Sequence, residues 1–312
     1  MRDEAEHKAD SGAVEVGARR CRDAGGVTQV GVIIGYALRE SMRRKVFLIV
    51  LLLSVAFLAL YGVGVWRAFT DTTSFVPPDQ LGLDATVVTG ATVLGLAMFA
   101  TLFLGTVLAI FLTLGVVRGD AERGLLQPLV VRPVGRSTLL LARFLAAAGV
   151  CAVYVALLFA IETVTTGLIG GWWPDNVVAA GAELAFAVVI VVALSLLGSI
   201  FLSATANGIA VFMVFGGGLV AGLLAQIGRA IGSDTLRSIG RWASWVLPFE
   251  ALYQDGLHMI TSGTTGFERF ALELGPFGGS SGAGVGVVIW AVAYLCLVGA
   301  IGLFAFARRD LP

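Results

Sequence analysis

Val117-Arg-Gly-Asp-Ala-Glu-Arg-Gly-Leu-Leu-Gln-Pro-Leu-Val-Val-Arg-Pro-Val-Gly-Arg136 is the most densely charged break between apolar runs in this chain, and it parts the runs 87–116 and 144–169. About 20 apolar residues suffice for a helix to cross a hydrocarbon core ~30 Å thick. Both runs exceed that length, so the break must lie against one face of a membrane. Working outward from it, four more runs meet the same criterion: 46–66, 182–203, 208–228 and 284–306. The bulk numbers agree. Of the 312 residues 57% are hydrophobic and only 13% charged, with a mean hydropathy of +0.91, whereas soluble domains carry roughly 25% charged residues. The predicted fold class is all-α: a polytopic membrane protein with six transmembrane helices.

Arginine and lysine orient it. With the N-terminus inside, the cytoplasmic segments hold Arg39, Arg43, Arg44, Lys45, Arg118, Arg123, Arg132, Arg136, Arg143, Arg308 and Arg309. The outside holds Arg67, Arg229, Arg237, Arg241 and Arg269. The imbalance places both termini in the cytoplasm and segment 229–283 outside, in the cell membrane. No n-region precedes an apolar h-region, so no cleavable signal peptide is expected.

Residues 1–26 mix charges with Gly and Ala and read as a disordered cytoplasmic tail, leaving 27–312 as one six-span domain. Val27, Val30, Ile33, Ile34, Ala37 and Leu38 recur at helical spacing before the cluster 39–45, the pattern of a helix lying in the interface. The alternative is a plain extension of the first span. Ala204-Thr-Ala-Asn-Gly208 reads as a tight turn. The outer segment 229–283 is too long for a connector. It contains the apolar stripe Leu236, Ile239, Trp242, Trp245 and Val246, then Pro248 and a piece whose Glu250 and Asp255 argue against a seventh span. Short interfacial or re-entrant helices are expected there, with the tryptophans at headgroup level.

Chemistry is sparse. Three scattered cysteines (Cys21, Cys151, Cys296) suggest no disulfide framework, and two histidines (His7, His258) build no metal site. HExxH is absent, and one usable histidine builds no Ser-His hydrolase. Glu162 is the only carboxylate deep inside an apolar run, where insertion costs ~2.5–3.5 kcal/mol. It could line a route or take up a proton. It could equally be compensated by Arg67, Arg229, Thr163, Thr165 or Thr166. Glu183 reads as an interfacial anchor, Asn207 as a helix cap, Trp172 and Trp173 as an aromatic belt. The run Gly216–Gly222 thins the fifth span for close helix approach.

The segment 117–143 carries the strongest signal. Asp120 can cap a short helix bearing Glu122, Arg123, Leu125, Leu126, Leu129 and Val130, with one apolar and one charged face. Pro133 ends it by removing a donor and restricting Arg132, and Ser137 restarts the chain as the cap of the third span. On composition alone, a solvated loop that only sets topology explains it equally well.

Glu122-Arg-Gly-Leu-Leu-Gln-Pro-Leu-Val-Val-Arg-Pro-Val-Gly-Arg136, followed by Leu140-Leu-Ala-Arg143-Phe, resembles the conserved cytoplasmic segment of ABC-2 type ABC transporter permeases. Leu38-Arg-Glu-Ser-Met-Arg-Arg-Lys-Val-Phe is similar to the element before span one in that family, particularly in its multicopper-enzyme-maturation branch. Leu125 stands in place of the usual Thr, and Gln127-Pro128 interrupts a normally continuous helix. The resemblance implies a permease that exports a substrate together with a second permease copy (homodimer or paralogue) and a separate ABC-type ATPase. The ATPase would contact Glu122, Arg123, Leu125, Leu126, Leu129, Arg132, Pro133 and Arg136. The chain has no GxxxxGK[ST] phosphate cradle, so no enzymatic activity and no cofactor are expected in it. ATP and magnesium would sit on the partner. Its surroundings are the lipid bilayer, and no nucleic-acid partner is implied. The rival is an ion-coupled secondary transporter using Glu162, although the two halves show no clear repeat.

Overall fold

The computed structural model describes residues 45–75, 85–114, 136–262 and 284–308. Among these residues there are eight helices and no strand: α1 (Lys45–Phe75), α2 (Ala85–Thr113), α3 (Arg136–Gly170), α4 (Val177–Phe201), α5 (Ala204–Ala230), α6 (Asp234–Val246), α7 (Pro248–Ile260) and α8 (Gly284–Arg308). Six of them, all but α6 and α7, are long and apolar enough to cross a membrane. The protein is an all-α polytopic membrane protein. The tail 1–26, the interfacial helix expected from Val27 to Leu38, most of the segment 117–143 and residues 263–283 lie outside the described residues.

Two helices most clearly overrun the apolar runs that announce them. α1 continues past Trp66 to Phe75, and α3 begins at Arg136, well before the run at 144. Apolarity marks the hydrocarbon, whereas helical hydrogen bonding persists through the headgroup zone. The tight turn is also shorter than its sequence suggests. Only Leu202 and Ser203 leave helical geometry, and Asn207-Gly208 belong to the first turns of α5. Asn207 is no cap: it is buried, donates from Nδ2 to Ser195 O at 2.9 Å, and packs on Gly198 of α4. That cross-helix bond outweighs the local turn tendency of an Asn-Gly pair.

α4 is the hub, packed against α2, α3, α5, α7 and α8. Lipid is as apolar as leucine, so packing density and interhelical hydrogen bonds must hold such a bundle together. Small residues supply the first. A Cβ on Gly105 of α2 would lie 2.8 Å from Val155 of α3 and 2.9 Å from Val188 of α4. Hydroxyls supply the second: Ser54 with Tyr154 and Tyr61 with Thr166 (2.6 Å) join α1 to α3, and Thr113 with Ser195 (2.6 Å) joins α2 to α4.

α6 and α7 form a re-entrant hairpin. α6 turns back along α5, with Gly240 against Ala225 and Leu236 against Gly228. Its junction with α7, Leu247–Phe249, meets Gly218, midway along α5. α7 then returns along α4 to its starting end, where Ile260 O accepts from Asp175 N at 3.3 Å and Ser262 Oγ from Asn176 Nδ2 at 3.0 Å. Pro at the first position of α7 has no donor to leave unpaired. Residues 171–176 and 260–262 thus mark one end of the bundle, the hairpin end. Trp172 and Trp173 lie there, packed over Gly90 and Gly167.

Candidate functional site

Among the described residues four buried carboxylates define the polar interior: Glu162 on α3, Glu183 on α4, and Glu250 and Asp255 on α7. Glu162 is fully enclosed. Its Oε1 accepts from the hydroxyl of Thr101 on α2, while Oε2 has no hydrogen-bond partner among the described residues. The compensating donor is therefore on another helix. Of the threonines on its own helix, Thr165 donates to Ile161 O, Thr166 donates to the backbone oxygen of Glu162, and the Thr163 hydroxyl is buried without a described partner.

Glu183 is not an interfacial anchor, because α7 covers it. Its carboxyl meets that of Asp255 within hydrogen-bonding reach. Asp255 Oδ1 also accepts from Gly284 N, at the start of α8, at 3.3 Å. This contact joins α4, α7 and α8 at one point near the hairpin end. The sequence signals were there, since Glu250 and Asp255 are the two carboxylates of the stretch 248–260. What the sequence could not show is that α7 folds back to bury them.

Glu250 sits at the hairpin's tip. Its Oε1 lies against Gly222 of α5, leaving no room there for a side chain, and finds no hydrogen-bond donor among the described residues. Burial pushes its carboxyl up to about 7, against the opposing pull of a hydrogen bond to Gln254 and the charge of Arg229. Gln254 in turn accepts from Gln226 Nε2 of α5 at 3.0 Å. Arg229, one of the cations considered as a partner for Glu162, thus acts on Glu250 instead and serves the hairpin. Burial likewise raises Tyr253, one turn on, well above the ordinary phenol value, with the charge of Glu250 adding to the effect.

Of the residues expected to contact a partner ATPase, Glu122, Arg123, Leu125, Leu126, Leu129, Arg132 and Pro133 lie outside the described residues. Arg136 is the first residue of α3.

A bundle of six spans, with a re-entrant hairpin between the fifth and sixth, defines a polytopic permease-like membrane protein. The chain belongs to the ABC-2 family of transporters: the family described as "ABC-2 family transporter protein" matches residues 32–311, nearly the whole sequence. It is accordingly a membrane-spanning permease component of an ABC transporter. Comparison with curated proteins finds no significant match.

Proposed function

We propose that this chain exports a substrate across the cytoplasmic membrane, driven by ATP hydrolysis in a separate ATPase subunit, and that it works beside a second permease copy. Family membership over residues 32–311 is the observation that carries the reading. The sequence motif GxxxxGK[ST] is missing from the chain, which supports an ATPase on another polypeptide with its ATP and magnesium. The excess of Arg and Lys in segments 39–45, 117–143 and 308–309 supports cytoplasmic termini and an outward-facing hairpin end. The similarity of Leu38–Phe47 to the multicopper-enzyme-maturation branch supports assignment to that branch.

Residues 120–136 dock on the ATPase. Leu125, Leu126 and Leu129 fill a groove on it, and Glu122, Arg132 and Arg136 set register at the rim. Buried apolar anchors carry most of an interface's affinity, whereas rim charges tune specificity and association rate. Leu126→Asp therefore releases the ATPase on copurification without preventing membrane insertion, and Arg136→Ala uncouples ATP hydrolysis from transport more than it weakens assembly. A fully assembled, fully active Leu126→Asp complex would reduce this segment to a topogenic loop. The ion-coupled alternative needs Glu162 to exchange protons with water, and its complete enclosure against Thr101 speaks against that route.

A further inference from the structure

Between α5, the hairpin and α8 lies a cavity of about 290 Å³ with an unusual lining. α6 contributes Arg237, Arg241 and Ser244, spaced i, i+4, i+7 and hence one stripe of that helix. α5 contributes Arg229, and α7 contributes Glu250 and Gln254. The opposite stripe of α6 carries Ile239, Trp242 and Val246, all exposed, Trp242 by 74%. One short helix thus turns an apolar face to the bilayer and a doubly cationic face to the cavity. Compensating the single carboxylate Glu250 takes one guanidinium, yet three line the space. Arg237 also engages Asp234, which is 96% exposed, at 3.7 Å and donates from Nη2 to Arg229 O at 3.4 Å. Glu250, meanwhile, lines the cavity, and its Oε1, buried against Gly222, has no donor among the described residues. A buried acceptor left without a donor is costly, and a bound group that donates to it would recover that cost.

A group that binds in this cavity must satisfy both features at once. It needs an anionic group of several oxygens for the arginines, since guanidinium forks match phosphate geometry. Next to it, it needs a hydroxyl or ammonium that can donate to Glu250. A volume just under the ~300–1,000 Å³ of drug-sized sites suits a headgroup rather than a whole lipid. The apolar stripe of α6 sets the site beside acyl chains, so that a phosphate held by Arg237 and Arg241 would have its chains in the bilayer. We propose that this cavity binds the headgroup of a phospholipid from the leaflet at the hairpin end, with phosphate on Arg229, Arg237 and Arg241 and a headgroup hydroxyl or ammonium donating to Glu250. Such a lipid bridges α5, α6 and α7 and holds the hairpin in the bundle.

The test uses the full chain, purified in detergent and delipidated, and requires no ATPase. Binding is followed by native mass spectrometry, and melting temperature by the loss of soluble monodisperse protein on heating. Phosphatidylethanolamine and phosphatidylglycerol, which carry donors, are compared with phosphatidylcholine, which carries none, and with soluble glycerol 3-phosphate. The expected result is at least about tenfold tighter binding of the first two over phosphatidylcholine, the worth of one good hydrogen bond to a buried acceptor. Glu250→Gln should narrow this preference, and Arg229→Gln with Arg241→Gln should weaken binding of all three lipids. Equal binding of the three lipids by the unmodified chain would overturn the proposal, and that arm requires no variant to fold. So would undiminished binding in the double arginine variant. If glycerol 3-phosphate fills the site as tightly as the lipids do, the bilayer is not the source and the proposal fails on that count.

Discussion

Gly216, Gly217 and Gly218 are consecutive on α5, yet they should respond in opposite ways to alanine. A Cβ at Gly216 or Gly217 meets nothing within 4 Å, whereas at Gly218 it would stand 2.6 Å from Phe249 Cζ and 3.3 Å from Leu247 Cδ1. Phe249 cannot step aside easily. It is fully buried and stacked on Phe215 with ring centroids 5.7 Å apart. Replacing Gly by Ala in a helix interior is favourable by up to ~1 kcal/mol, and at positions 216 and 217 nothing offsets that gain. At 218 overpacking of a filled site costs ~1–3 kcal/mol, which cancels or reverses it. The three variants should therefore separate by ~1–3 kcal/mol, with Gly218→Ala the least stable. The assay is thermal or denaturant unfolding of the purified chain in a detergent that keeps it monomeric, so that packing against a second copy does not enter. If the three alanines are indistinguishable, or if Gly216→Ala is the most damaging, the hairpin does not sit against α5 as described.

Thr101→Val should destabilise the protein by ~1–3 kcal/mol because it orphans a buried carboxyl, whereas Glu162→Gln keeps an accepting oxygen and should retain transport. A double-mutant cycle without coupling would remove the Thr101–Glu162 contact, and loss of transport with intact expression in Glu162→Gln would make this residue part of the route. Glu250 has its folded value raised from 4.5 to about 7. Its contribution to stability is therefore full below 4.5 and is lost as pH climbs through 7. The melting temperature should fall between about pH 5 and about pH 8, and Glu250→Gln should flatten part of that fall; an unchanged slope would contradict the burial of this carboxyl. For orientation, a cysteine placed at Ser262 should react with an impermeant reagent from outside and one at Ser137 should not, with the reverse pattern inverting the topology.

The six spans were legible because the property that makes them, a run of about 20 apolar residues, is local and one-dimensional. The ends were not, because the apolar run measures the hydrocarbon and the helix outlasts it at Phe75 and at Arg136. The hairpin was half legible. Pro248, Glu250 and Asp255 ruled out a span and suggested a fold-back, but its depth depends on which α5 residue lacks a side chain where Phe249 arrives, a matter of three-dimensional register. Thr101 left no trace at all: it is one of five threonines in the run 87–116, nothing local sets it apart, and its carboxyl partner is 61 positions away. Asn207 misled, since Asn-Gly favours a turn locally while a bond to Ser195 of the neighbouring helix keeps it helical. At the hairpin, at Thr101 and at Asn207 the deciding partner lies on another helix. Glycines therefore carry more information than apolar residues about how such a bundle packs. Between spans in lipid, apolar side chains do not choose partners, because lipid serves them equally well. The choice falls to the positions that admit close approach, Gly105, Gly218, Gly222, Gly228 and Gly240, each of which meets a named atom of another helix.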